Sequence, residues 1–145
     1  MRAMGLDLGT KNIGVAVSDE LGMIAHGREV IKRISDAKAI ARVSEIVAEE
    51  RVTEIILGMP LNMDGSKGFR AYIVEKFAET FSKFSNIPCE FVDERLTTVI
   101  AHRSMLEGNL SRKKRKKRVD AIAAQLILQT YLDIKKTKET TNQEL

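Results

Sequence analysis

The run Gly5-Leu6-Asp7-Leu8-Gly9-Thr10 places an ionisable carboxylate in what reads as a central strand, and this one acid constrains the chain more than any other residue. An isolated charged carboxylate in a low-dielectric interior takes up a proton unless a cation or several donors compensate it. A positively charged partner is therefore implied. On an alternating strand Ala3, Gly5 and Gly9 share the face of Asp7, so the acid is surrounded by residues with almost no side chain. The next run repeats the pattern, with Gly14, Ala16 and Ser18 on one face and Ile13, Val15 and Val17 on the other. The small face offers room for a metal and a phosphate, while the competing reading is that these glycines permit close helix packing and that Asp7 pairs with a lysine.

Residues 3–8 and 12–18 predict two strands joined through Gly9-Thr10-Lys11, a hairpin. A third strand is expected from Met23 to Ile31, after the Leu21-Gly22 turn. With Ser35 or Asp36 as N-cap, Ile40, Val43, Ile46 and Val47 recur at helical spacing, and this helix should end near Arg51. Glu54-Ile55-Ile56-Leu57-Gly58 has the pattern of a strand buried on both faces in a parallel arrangement. After a loop rich in Pro, Asn, Asp and Gly, Ser66 is expected to cap a second helix with Phe69, Ile73, Phe77, Phe81 and, near its end, Phe84 on the inner stripe.

Pro88 opens a short strand, Cys89 to Val92, which leads into Asp93-Glu94-Arg95; Thr97 to Leu106 reads as helix, stopped by Gly108-Asn109. The final helix starts in or after the basic run and carries Val119, Ile122, Ala123, Leu126, Ile127 and Tyr131, and from about Lys135 the chain reads as frayed or disordered. The sum is an α/β fold: a mixed five-stranded sheet, three antiparallel strands followed by parallel ones, with helices on both faces. One domain over residues 1–134 and a tail over 135–145 are expected; with 145 residues, 43% of them hydrophobic, the chain has the apolar material for one core.

Composition removes several function classes. No apolar run approaches the roughly 20 residues needed to cross a bilayer, and the opening residues lack the uninterrupted apolar stretch of a secretory signal, so a cytoplasmic protein is expected. Cys89 is the only cysteine, which excludes an internal disulfide and a Cys-rich zinc site and leaves core packing as its role. His26 and His102 are isolated, which argues against a zinc centre or a histidine-based hydrolase.

Charge is more informative. Arg112, Lys113, Lys114, Arg115, Lys116, Lys117 and Arg118 form an unbroken basic run whose seven charges exceed the formal net charge of +4, leaving the rest of the chain net negative. A localised positive segment suits a polyanion gripped in one orientation, while the plainer reading is a solvated loop. Aromatic residues make up 5% of the chain and do not interleave with the run, so phosphate contacts rather than base stacking should dominate affinity.

Two further groups of acids complement Asp7. Asp93 and Glu94 fall just beyond the carboxyl end of a predicted strand, where open α/β sheets place their sites; only one of the two need face such a site, and a helix-start role competes. Asp120 stands four, seven and eleven residues before Ala124, Ile127 and Tyr131, on a helix face that otherwise packs inward, with a first-turn dipole role as the alternative. Carboxylates from a strand, a strand end and a helix end make the all-oxygen environment that suits Mg²⁺ or Mn²⁺. Two such ions, roughly 3.5–4 Å apart, serve phosphodiester hydrolysis by generating the attacking hydroxide and stabilising the leaving oxygen.

Taken together, Gly5-Leu6-Asp7-Leu8-Gly9-Thr10-Lys11 with Gly14, Gly58-Met59-Pro60-Leu61 followed by Asp64-Gly65-Ser66, Asp93-Glu94-Arg95-Leu96-Thr97-Thr98, and Asp120-Ala121 with Ala123-Ala124 resemble the YqgF family, over roughly residues 2–134. The resemblance implies a ribonuclease H-like fold, similarity to RuvC-type Holliday junction resolvases, and a nuclease that processes the 5′ end of pre-16S ribosomal RNA. It makes Asp7 the acid that bridges two metals, Glu94 and Asp120 the other ligands, and Lys11, Arg95 and Thr98 supports or grips for phosphate. Ser66 is implied as a substrate contact as well as a cap. Lys67, Phe69 and Ile100 depart from the Glu, Pro and Glu expected in many relatives, and none is an implied ligand. A fourth acid stays open among Asp19, Asp64 and Asp93, as do RNA against branched DNA as substrate and monomer against homodimer.

Two rival readings remain. Asp-x-Gly-Thr also resembles the phosphate loop of actin-like sugar kinases and Hsp70-type ATPases, but those close a cleft between two related domains and this chain supplies one. A non-catalytic RNA-binding or ribosome-assembly protein would use the basic run alone, with affinity falling steeply as salt rises.

Overall fold

The computed structural model describes residues 1–96 and the backbone of residues 112–144, with the side chains of 121–139 in that last segment. Its strands are β1 (Arg2–Leu8), β2 (Asn12–Ser18), β3 (Ala25–Lys32), β4 (Val52–Met59) and β5 (Cys89–Asp93), and its helices α1 (Asp36–Glu50), α2 (Phe69–Ser82) and α3 (Arg112–Glu144), with a 3₁₀ turn at Glu94–Leu96. The sheet order is β3-β2-β1-β4-β5. β1 pairs antiparallel with β2 and β2 with β3, whereas β4 pairs parallel with β1 and β5 parallel with β4. The predicted mixed sheet is therefore present, and β1 is its central strand.

Alternation along β1 and β2 builds two cores. Met4, Leu6, Leu8, Ile13, Val15 and Val17 point to the side covered by α1 and α2, where Ile40, Val43, Ile46, Phe77 and Phe81 meet them. Burying each phenylalanine there contributes about 1.5–3 kcal/mol. Ala3, Ala16, Ala25 and Ile56 point to the other side, against Ala123, Ala124, Ile127 and Leu128 of α3. The small residues there let the helix come close. A Cβ on Gly5 would stand 2.7 Å from Leu128 Cβ and 2.9 Å from the Ala124 carbonyl oxygen. This corrects one expectation: the space beside Gly5 is filled by helix, not left for a ligand, because burying apolar helix surface against a smooth sheet outweighs an empty cleft.

α3 runs antiparallel to β1 and β4. Leu128 and Ala124 lie over Gly5, and further along the helix the Tyr131 hydroxyl donates to Glu54 Oε2 at 3.0 Å while Lys135 Nζ pairs with Glu54 Oε1 at 3.3 Å. These two contacts, with the Thr137 hydroxyl donating to the Asp133 carbonyl, accompany a helix that continues through Glu144, past the point where the sequence predicts fraying. At the other edge Gln129 accepts from the Ala25 amide at 2.9 Å and donates to the Met23 carbonyl, and β3 begins at Ala25 rather than Met23.

α1 starts and stops as its sequence predicts. Ser35 is the N-cap, accepting from the Lys38 amide, and Arg51 closes the helix in the left-handed region at φ 55°. α2 departs from expectation. Gly68 is its N-cap with no side-chain hydrogen bond, and the buried stripe is Ala71, Val74, Phe77, Ala78 and Phe81. Phe69 and Phe84 are exposed. Ser66 does not cap because its hydroxyl is spent inside the preceding loop: it donates to Asp64 Oδ1 at 2.6 Å and accepts from Asn62 Nδ2 at 3.0 Å. The helix thus begins two residues later, with Gly68 rather than Ser66 as its cap, and its inward face rotates. The helix expected over residues 97–106 and its Gly108-Asn109 stop lie outside the described residues.

Candidate active site

Leu6 pairs with Leu57, so Asp7 and Gly58 follow side by side at the carboxyl ends of β1 and β4. Asp7 is 1% exposed, on the α3 face of the sheet with Ala3 and Gly5. β5 ends at Asp93, and the 3₁₀ turn that follows carries Glu94 back over β4. A Cβ on Gly58 would stand 2.8 Å from Glu94 Oε1 and 2.5 Å from Ile127 Cδ1. The glycine therefore makes the seat that the Glu94 carboxylate occupies. Two acids 87 residues apart in the chain are brought to one end and one face of the sheet.

Between Asp93 and Glu94, which the residues alone leave open, the structure separates the roles. Asp93 takes the Arg95 guanidinium: Arg95 Nε donates to Asp93 Oδ2 at 2.9 Å and Nη2 to the same oxygen at 2.7 Å. That guanidinium holds the Asp93 carboxyl below its ordinary pKa of 3.8. Arg95 Nη1 also donates to the Met63 carbonyl at 3.1 Å. Arg95 thereby ties the β5 turn to the loop after β4, in which Ser66 and Asp64 bond each other.

Asp120 belongs to α3, one turn before Ala124, and the antiparallel course of that helix carries position 120 toward the end of β1 where Asp7 lies. The side chains of Asp120 and of Arg112, Lys113, Lys114, Arg115, Lys116, Lys117 and Arg118 lie outside the described residues, as does Thr98 altogether; the basic run is nonetheless helical in its backbone rather than a loop. Lys11 is exposed in the β1–β2 turn. Of the three candidates for a fourth acid, Asp19 is at the wrong end of the sheet. β2 is antiparallel to β1, Ser18 Oγ accepts from the Ala3 amide, and Asp19 Oδ1 accepts from the Met23 amide. Asp64 is engaged by Ser66 and Asp93 by Arg95.

Two residues at this end were not found by sequence reasoning. Arg33 Nη1 donates to the Gly9 carbonyl at 3.2 Å, and Arg70 Nη2 to the Leu8 carbonyl at 3.1 Å, immediately after Asp7. Nothing in their spacing signals this, since only the packing of β3 and α2 around the end of β1 brings them there.

A five-stranded mixed sheet of this order, with a buried aspartate on its central strand and a glutamate over the adjoining strand end, has the architecture of the ribonuclease H-like fold. The sequence matches the family model of the RuvX Holliday junction resolvase over residues 1–134. The chain belongs to that family. A Myxococcus xanthus protein named "Putative pre-16S rRNA nuclease" is 48% identical over 140 residues, covering 97% of this chain and 93% of its own. A protein of the same name from Clostridium perfringens strain SM101 is 53% identical over 133 residues, covering 92% and 97%. The Thermus thermophilus RuvC structure in complex with a Holliday junction substrate superposes with a TM-score of 0.58 at 18% identity, covering 92% of this chain and 96% of that one, a likeness of fold.

Proposed function

We propose that this chain is a metal-dependent nuclease that hydrolyses phosphodiester bonds at the Asp7–Glu94 end of the sheet, with the 5′ end of pre-16S ribosomal RNA as its substrate and the cytoplasm as its place of action. The observation that carries the reading is the buried Asp7 carboxylate meeting the side of the sheet where Glu94 is seated over Gly58. Carboxylate oxygens are the donors that hard divalent cations prefer, and the donor set fits Mg²⁺ or Mn²⁺. Asp7, Glu94 and Asp120 would hold two such ions. When bound, they supply Lewis-acid stabilisation of phosphoryl charge and acidify water.

The chain's own residues do the remainder. Burial of Asp7 in the central strand fixes its carboxylate against a rigid backbone and keeps bulk water from one side of it. Glu94 is held by the close fit over Gly58, with Ile127 limiting its excursions. Arg95 braces the turn that carries Glu94 through Asp93 and the Met63 carbonyl. Lys11 and Ser66 border the same end and contact substrate, with Thr98 and residues 112–118 supplying further phosphate grip. That charged segment gives affinity with steep salt dependence.

The test is cleavage by purified protein, in Mg²⁺ or Mn²⁺, of a 16S precursor RNA and, in parallel, of a four-way DNA junction. Precursor trimming needs one active site, whereas symmetric junction cutting needs two related by a two-fold axis. Asp7→Asn is expected to lower the rate by about 10²–10³-fold, since several kcal/mol of charge stabilisation is lost. Unchanged processing by Asp7→Asn would end the metal-nuclease reading.

A further inference from the structure

The loop that follows Asp7 is flanked on the side of the sheet away from α3 by a cavity of about 280 Å³, lined by Leu8, Gly9, Thr10, Arg33, Arg70 and Ile73. Two guanidinium groups border it. Arg33 is tied to Asp36 Oδ1 through Nε at 3.2 Å and to the Gly9 carbonyl through Nη1, and its Nη2 has no partner among the described residues. Arg70 makes one hydrogen bond, to the Leu8 carbonyl, and meets no carboxylate among the described residues. In this it differs from Arg2, Arg28, Arg33, Arg42 and Arg95, each of which is paired with an acid. A guanidinium has five N–H donors in a planar fork suited to phosphate. Four of Arg70's therefore meet no protein acceptor among the described residues.

We infer that Arg70, with Arg33 behind it, forms a subsite for a backbone phosphodiester of the nucleic-acid substrate, next to the one cleaved. A strand rises about 3.3 Å per residue, so Gly9 lies about 7 Å beyond Asp7, within reach of a neighbouring phosphate on a strand lying across the end of β1. The Thr10 hydroxyl adds a donor at the same wall. Phe69, next to Arg70 in the first turn of α2, and Tyr72, which lines the adjoining cavity, are exposed aromatic rings of the kind on which unpaired bases stack. Opposing charges stand in the adjoining cavity, where Asp36 pairs with Arg33, Glu75 pairs with Lys67, and Glu79 lies beside Lys76 in the lining. This inference rests on the nuclease reading above, and its test separates the two.

The full chain carrying Asp7→Asn, expected to bind while cutting too slowly to consume the probe, is titrated in Mg²⁺ with a labelled single-stranded RNA oligonucleotide and a DNA of the same sequence, over a series of salt concentrations. Adding Arg70→Gln should lower the slope of log K against log salt by about 0.7 and weaken binding about fivefold at 0.1 M salt, the signature of one lost phosphate contact on a single strand. The loss should be equal for RNA and DNA. Arg70→Lys should keep most of the slope, and Lys83→Gln, at the far end of α2, should change nothing. Arg70 is exposed, so its variants should melt with the parent.

If Arg70→Gln binds with the parent's slope and affinity, the subsite is wrong while the nuclease reading stands. A loss on RNA alone points to a sugar contact and overturns the assignment to phosphate. If the Asp7→Asn chain binds neither nucleic acid at any salt, the nuclease reading fails and takes the subsite with it.

Discussion

Gly58→Ala should separate the folding of this protein from its chemistry. The new Cβ would lie 2.5 Å from Ile127 Cδ1 and 2.8 Å from Glu94 Oε1, where ordinary contact begins near 3.4 Å. Both atoms end flexible side chains. Ile127 can turn its terminal methyl aside, and Glu94 must retreat by about 0.6 Å. Overpacking a core costs about 1–3 kcal/mol, and with only side-chain ends to move the cost should sit at the low end, ~1 kcal/mol. For a chain of this length that lowers Tm by about 2–4 °C.

The chemical effect should be larger, because a misplacement of about 1 Å can remove roughly 10²-fold in rate. Cleavage of precursor RNA by Gly58→Ala is therefore expected to fall at least about tenfold in kcat while circular dichroism shows a folded protein. A double-mutant cycle sharpens the test. Glu94→Asp withdraws the carboxylate by one methylene, so Gly58→Ala added to it should cost little more, a coupling that independent sites would not show. Wild-type cleavage by a folded Gly58→Ala protein would refute the argument that this glycine positions Glu94 for catalysis.

Two other substitutions or conditions test the frame around the site. Gly5→Ala meets the Leu128 Cβ at 2.7 Å and the Ala124 carbonyl at 2.9 Å, atoms fixed to the α3 backbone, so it should destabilise by about 2–3 kcal/mol and lower Tm by about 5–10 °C; an unchanged melting curve would mean that α3 does not pack on β1 this closely. The loop after β4 should loosen in acid. The Ser66 hydroxyl and then its amide hold the Asp64 carboxyl below its ordinary pKa of 3.8. A depressed acid contributes stability above that value and loses it as pH falls through the folded-state pKa. Amide exchange at Ser66 should accelerate below about pH 3.8 relative to the β4 amides, and equal protection across that range would contradict the Asp64–Ser66 turn.

Much of this protein is legible in its amino-acid sequence alone. Strand alternation in residues 3–18 separated a face of Met, Leu, Ile and Val from one of Gly, Ala and Ser, and that contrast sets which helices cover which side. Ser35 and Arg51 bounded α1 because caps are local chemistry. The start of α2 was misread since Ser66 has two competing local partners, Asp64 and Asn62, and only the folded loop decides which it takes. The space beside Gly5 was misread for a related reason: an absent side chain is the same signal whether a ligand or a helix fills it.

The amino-acid order alone determined that Asp7 is a carboxylate in need of a partner, because burial and charge follow from a strand's own neighbours. Which acid joins it was decided by tertiary structure. Parallel pairing of β1 with β4, and the glycine seat at Gly58, bring Glu94 to that end of the sheet, while Arg95 claims Asp93 and antiparallel pairing sends Asp19 to the opposite end. Arg33 and Arg70 likewise reach the loop beyond Asp7 only through packing. Sequence patterns encode the face a residue takes on its own element, and convergence between elements depends on register and topology that no local pattern contains.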